Sequence, residues 1–417
     1  MAADVWHAAG YRGAGVRVGV IDLGFGGYRA LLGGELPATV STRNFVDGQD
    51  PEDVASGTSQ GTALAEIIHD VAPAADLSLA KISTLADLAD AVDWMIAQGV
   101  QVIQCTLPWH GMASGDGSGA VADLVNRARE AGILWVTGAG DQARRHWSGD
   151  WQDPVNGQAF PFDPWVRYNM LSLNGSPEIP AWVRIEALLR WSDWTEVQQD
   201  CDLYLYRATA DTVWHAVASS TDVQAGGYTQ RPVEALSYTT TGPPAYYALV
   251  VRAVQLNRSV HMDLFVYGAP TLNFVVAAQS LTNTADAARA LSVGAVSWRA
   301  PHVVSGDSSR GPAKGAGGTG AAGLAQPGIS AYSDVHTASA GVLSGTGAAA
   351  AHVAGAAALV LSRDPSWGPD QVQALLVGRA RQHNVPAGWD AAYGHGSLYL
   401  GSPSELPVHM WLPLVRR

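Results

Sequence analysis

An α/β fold built on a parallel sheet with helices on both faces, interrupted by an antiparallel β-rich segment, is what this chain of 417 residues predicts. Three observations carry that expectation. Short apolar runs alternate with segments of helical periodicity in the first part, the middle alternates with period two, and the α/β alternation then resumes. With 47% hydrophobic and 15% charged residues, the chain has apolar side chains for more than one core and too little charge for a disordered one.

In order, residues 16–22, 76–81, 100–105 and 133–137 are apolar runs short enough for central strands buried on both faces. Between and after them, 59–70, 84–98 and 119–131 carry the spacing of amphipathic helices. Helix starts fall at strand ends, where open α/β sheets build their sites. From 156 to 267 the pattern changes to strands such as 181–191, 201–206 and 246–251 separated by Gly, Pro and Ser turns, which predicts an inserted β-sandwich of jelly-roll type. The α/β pattern returns at 272–277 and 290–296, followed by an Ala-rich helix to about 362 and an amphipathic one at 369–380. The expected organisation is therefore a first α/β part over 1–155, the sandwich over 156–267, a second α/β part over 268–400, and a Pro-rich apolar tail over 401–417.

Charge narrows the functions. A net charge of −12 and a pI near 5.4, with no cluster of Lys and Arg, speak against nucleic-acid binding. No run of about 18 apolar residues predicts a membrane span. Met1-Ala2-Ala3-Asp4 lacks the basic and apolar regions of a signal peptide. Cys105 and Cys201 fall in different predicted domains and are not expected to pair, and a monomer is expected.

Four segments carry the chemistry. They are Val20-Ile21-Asp22-Leu23-Gly24, Ser59-Gln60-Gly61-Thr62-Ala63, Thr137-Gly138-Ala139-Gly140-Asp141, and Ser344-Gly345-Thr346-Gly347-Ala348 running on to His352-Val353-Ala354-Gly355. In order and in flanking residues they resemble the aspartate, histidine, oxyanion-asparagine and serine motifs of subtilisin-like serine proteases, the subtilases. Ser308-Ser309-Arg310-Gly311-Pro312, Ala325-Gln326-Pro327-Gly328 and Tyr393-Gly394-His395-Gly396 resemble further landmarks of that family, so the resemblance covers about three-quarters of the chain. The inserted segment is similar to the pre-peptidase C-terminal-type jelly rolls of secreted proteases.

What the resemblance implies is a triad with only one member left. Asp22 stands at the aspartate position, Gln60 replaces the general base, Gly347 replaces the nucleophile, and Asp141 replaces the asparagine that donates to the oxyanion. Acyl transfer needs a nucleophilic atom, a base that titrates near working pH, and donors aimed at the oxyanion. Glycine has no side chain, an amide does not titrate, and an ionised carboxylate only accepts hydrogen bonds. Thr346 and Ser344 flank Gly347 but point elsewhere on a helix start. Asp22 is expected to bond backbone amides, and Gln60 to fill the former histidine site as a hydrogen-bonded amide. The family resemblance also implies an extracellular or cell-surface location.

The remaining candidates lie outside these motifs. Trp109 and Gly111 are expected in a wall of the cleft. Asp200 and Asp202, on one strand face, with Glu234 nearby, offer hard oxygen ligands for calcium, while no cofactor is required. Glu66, His69 and Asp70 share one helical turn without zinc spacing and are expected on a surface face. His352 is expected in the core, and Trp182, Trp191, Trp194 and Trp214 as sandwich core and rim, with a carbohydrate or peptide platform as the alternative. The expected function is a catalytically inactive subtilase, a pseudoprotease, that retains peptide or protein binding in its cleft. The alternatives are an active serine endopeptidase, or an altered copy of one, and a structural or adhesive extracellular module.

Overall fold

The computed structural model describes residues 1–209, 213–227, 230–382 and 388–406. The apolar end of the tail, with Trp411, lies outside them. Five strands open the chain: β1 (Arg17–Asp22), β2 (Ser41–Asn44), β3 (Asp76–Lys81), β4 (Val102–Cys105) and β5 (Leu134–Gly138). Together with Ala290–Ser297 and Ile329–Ser333 they form one sheet in the order β2, β3, β1, β4, β5, then those two. Every pairing in it is parallel. The strands are near-continuous apolar runs because helices cover both faces. Val18 and Val20 pack into one core with Leu64 and the Ala-rich helix Thr346–Arg363, and Ile21, Met95 and Trp135 into another on the opposite face.

The chain leaves β1 for β2 and β3 on one side and returns to β4 and β5 on the other, so the direction of winding reverses beside β1. Crevices form at the carboxyl ends of strands at such a switch point. Helix Gln60–Val71 packs against Thr346–Arg363, and small residues allow the approach. At Gly355 a Cβ would stand 2.6 Å from the Val71 Cβ, too close for any larger residue without a shift.

Between β5 and Ala290–Ser297 the chain builds two antiparallel sheets. The five-stranded one runs Trp214–Ser220, Asp200–Ala208, Tyr246–Gln255, Asn169–Ser172, Thr271–Leu272. The four-stranded one runs Val233–Thr239, Arg184–Trp191, Val260–Tyr267, His146–Trp151. Alternate residues from both, such as Leu203, Leu205, Leu249 and Val251 from one and Ile185, Leu189, Leu264 and Val266 from the other, share a single apolar cluster. These strands begin at His146 and end at Leu272, a wider span than the expected 156–267. The first strand was hidden because its sequence, HWSGDW, has too few alternating apolar positions to stand out from a loop.

A buried ionic network ties the four-stranded sheet to the parallel-sheet body. The Asp263 carboxylate accepts from the Lys314 ammonium, from Arg190 Nε at 2.9 Å and from His146 Nε2 at 3.1 Å. Arg190 Nη1 also donates to the Ala113 carbonyl at 3.1 Å, and Lys314 Nζ lies 2.9 Å from His261 Nε2. Burial opposes ionisation of Asp263, but Lys314 and Arg190 outweigh it and hold the carboxyl well below the ordinary range.

Candidate functional site

The carboxyl ends of the central strands set the site. Asp22 ends β1 and is buried. Its Oδ1 accepts from the Leu23 amide at 2.7 Å and from Thr58 Oγ1 at 3.5 Å, while Oδ2 is buried without a partner. Burial pushes its pKa up to about 6, against the hydrogen bonds from the Leu23 and Gly24 amides and from Thr58. Gln60 opens the helix beyond Thr58 and is exposed. Its amide has no hydrogen-bond partner among the described residues, so it projects at the helix start and does not fill a vacated site.

Asp141 and Gly347 meet across the start of helix Thr346–Arg363. The approach is close because β5 ends in Gly138, where a Cβ would stand 2.6 Å from Thr346 Oγ1. Thr346 stitches the two segments together. Its Oγ1 accepts from the Gly140 amide at 3.1 Å, and its own amide donates to Asp141 Oδ1 at 3.0 Å. Gly345, the residue before the helix, supplies no side-chain cap, so the carboxylate of Asp141 caps the helix from another part of the chain. Burial pushes the Asp141 pKa up to about 6 against that amide; Asp307 adds to the rise, and the Thr346 side chain and Arg145 oppose it.

Gly347 is the second residue of this helix and faces a cleft of about 250 Å³. A Cβ there would lie 3.5 Å from Thr106 Oγ1 and 3.7 Å from Leu64 Cδ2, ordinary contact distances, so a side chain has room. Gln60, Asp141 and Gly347 line this cleft together with Thr106, Pro108, Gln142 and Ser344. Among the described residues, no histidine lines it. Ser344 Oγ is turned away to Asp334 at 2.7 Å, the Cys105 thiol is buried with its pKa pushed up to about 12, and His352 is half-buried, its Nδ1 2.8 Å from the Ala348 carbonyl, with its pKa pushed down to about 4.

Several expected positions lie elsewhere. Gly111 is buried against the four-stranded sheet, where a Cβ would stand 2.8 Å from Leu188 Cδ1, and Trp109 packs beside the apolar cluster containing Leu107. The wall they were expected to form comes from Thr106 and Pro108, because the chain turns away from the cleft after Pro108 and under the antiparallel sheets. The calcium candidates do not converge either, since among the described residues no group of three acidic, His or Cys side chains is placed to hold a metal. Glu234 is occupied by Ser220 and by Gln224 Nε2 at 2.8 Å, and Asp202 accepts from Tyr204 at 2.7 Å. Glu234 lies on the four-stranded sheet and the two aspartates on the five-stranded one.

Glu66 is buried, not on a surface face, and accepts from the Ala338 amide at 2.6 Å and the Ser339 amide at 3.1 Å. Of the four tryptophans, Trp191 is core, Trp182 is 84% exposed in a turn, Trp194 borders a polar recess with Asp193, and Trp214 sits beside Tyr168 on the outer sheet face. They form no common platform. Thr106 is the site residue that sequence reasoning missed, and Thr346, expected only as a flank of Gly347, is the one whose role it missed. Their roles are backbone and contact roles that no motif encodes.

Comparison with known proteins follows the same lines. Residues 197–396 match the subtilase family, Peptidase_S8. A thermostable alkaline protease of Halalkalibacterium halodurans is 30% identical over 146 residues, which is 33% of this chain and 39% of the relative. Subtilisin DY of Bacillus licheniformis is 28% identical over 154 residues, 33% of this chain and 52% of the relative. The chain therefore spans about half or less of the length of these curated relatives. Among solved structures, the Clostridium perfringens CspB protease is similar with a TM-score of 0.63 at 14% identity, covering 98% of this chain and 97% of that one, a likeness of fold. By its seven-stranded parallel sheet, the order of its motifs and these matches, the chain has the subtilisin-like fold, and its residues 197–396 are similar to the subtilase family.

Proposed function

We propose that this chain is a catalytically inactive subtilase whose former substrate cleft binds peptide or protein segments. The observation that carries the reading is Gly347, which faces the cleft from the start of the Ala-rich helix with space for a side chain and none to fill it. Among the described residues no histidine lines the cleft to take a proton, and Asp141 presents a carboxylate where donors would be needed. In subtilisin, loss of the serine or the histidine alone costs roughly 10⁶ in turnover, or about 8 kcal/mol of barrier. Here both are missing.

A cleft that takes an extended segment by adding a strand needs no triad, so binding outlasts chemistry. The two antiparallel sheets between His146 and Leu272 act in this reading as an inserted β-sandwich module, and the protein works outside the cell as a monomer, free of nucleic acid. Among the described residues no helix is long and apolar enough to cross a membrane.

The test is turnover of casein and fluorogenic peptides by the chain beside the Gln60→His/Gly347→Ser double variant, paired with calorimetric titration of both against a peptide library. No turnover and saturable peptide binding are expected for the unaltered chain. Cleavage that persists through purification would overturn the inactive reading, and absence of saturable binding would overturn the binding one.

A further inference from the structure

The polarity of the cleft is reversed from that of a site built to hold an oxyanion. A free helix N-terminus attracts anions, but the Thr346 amide is already taken by Asp141 Oδ1 at 3.0 Å. Among the described residues, the one charged residue lining the cleft is Asp141, and no Lys, Arg or His accompanies it there. Arg144 and Arg145, the cations nearest in sequence, are engaged elsewhere, Arg144 donating to Asp307 at 2.7 and 2.8 Å and Arg145 to the Asp141 main-chain oxygen at 3.1 Å and to Asp307 at 3.2 Å. Two further polar atoms of lining residues, Thr106 Oγ1 and Gln142 Oε1, are buried without a hydrogen-bond partner. An unmade hydrogen bond at a buried group costs about 1–3 kcal/mol, so a ligand that supplies the missing donors gains by entering. A peptide carbonyl can take the Thr106 hydroxyl proton but offers the Asp141 carboxylate no donor.

We propose that the cleft selects a primary ammonium group, held by the Asp141 carboxylate with Thr106 and Gln142 as further acceptors, the ammonium being either the free amino terminus of a polypeptide or a lysine side chain. An ammonium carries three donors and no acceptor, which matches this lining. This inference rests on the peptide-binding reading above and narrows it to one chemical class. The space beside Gly347 admits a compact ammonium head next to Asp141, with the chain leaving along the cleft past Pro108 and Gln60.

Calorimetric titration of the full chain against matched synthetic peptides tests it. One pair has no Lys or Arg and differs only in a free or acetylated amino terminus. A second pair is acetylated and differs only in lysine against norleucine. Removing the charge is expected to weaken binding by about tenfold or more in at least one pair, as for truncation of a desolvated charge partner, and the affected pair identifies the source of the ammonium. Asp141→Asn, which keeps the acceptor for the Thr346 amide, is expected to erase that difference. Equal affinity within both pairs overturns the ammonium site while leaving peptide binding standing. No binding by any of the four peptides removes both. A difference that survives Asp141→Asn places the ammonium elsewhere and also overturns the assignment.

Discussion

Asp141 shows how one side chain can be set by long-range geometry and still be found by its motif. The Ala-Gly-Asp sequence after β5 resembles the family's oxyanion-donor motif, but its bond to the Thr346 amide joins residues 205 positions apart and has no local signature. Glu66 is the opposite case: helical spacing placed it on a surface, and only the fold brings the Ala338 and Ser339 amides, some 270 residues away, to its carboxylate. Ionisation follows from burial. With its folded pKa near 6 and an unfolded value of about 3.9, Asp141 binds a proton more tightly when folded, so its contribution to stability is present below about pH 4 and is lost as pH rises through 6. Asp141→Asn is therefore expected to be more stable than the parent at pH 8 by roughly 1–3 kcal/mol, with the advantage gone near pH 4. Thermal midpoints of both proteins across that range measure it.

Elements were the easiest scale to read. The expected strand 76–81 matches Asp76–Lys81 and the expected helix 59–70 matches Gln60–Val71 within a residue, because buried apolar runs and amphipathic spacing are local signals. The edge strand His146–Trp151 was missed since its packing, not its sequence, makes it a strand. Helix contacts give sharper expectations. Gly355→Ala gains helix propensity of about 1 kcal/mol, but its Cβ collides with Val71, and overpacking of about 1–3 kcal/mol should win. A lower urea midpoint at unchanged m-value is the expected result. Gly347→Ser, with contacts of 3.5 Å or more, should shift stability by no more than about 0.5 kcal/mol, measured in the same titration, which makes it a clean vehicle for restoring a nucleophile.

On the scale of the whole molecule, the Asp263 network welds sheets of different architecture into one body. Nothing in the spacing of Arg190, Asp263 and Lys314 announced it, because three distant segments must fold before their charges meet. Removing one partner of a buried pair costs about 3–5 kcal/mol, so Asp263→Ala is expected to lose about that much, measured by denaturant unfolding, and to raise amide exchange in both the Val260–Tyr267 strand and the Lys314 segment. Because Asp263 is held ionised when folded, its support is present above the unfolded carboxyl range and fades as pH falls through its depressed folded pKa.

Lys314 also limits how far this protein can be trimmed. Its ammonium is almost wholly screened from solvent, and while it also donates to Gln279 at 3.3 Å, the carboxylate that neutralises it, Asp263, and the neighbouring His261 belong to the antiparallel unit. Excising that unit would remove the counter-ion of Lys314 and uncover the surface packed around it, so a minimal protein made by such surgery should be less stable than the whole chain, as read by denaturant unfolding. The antiparallel sheets are thus a structural dependency of the parallel-sheet body.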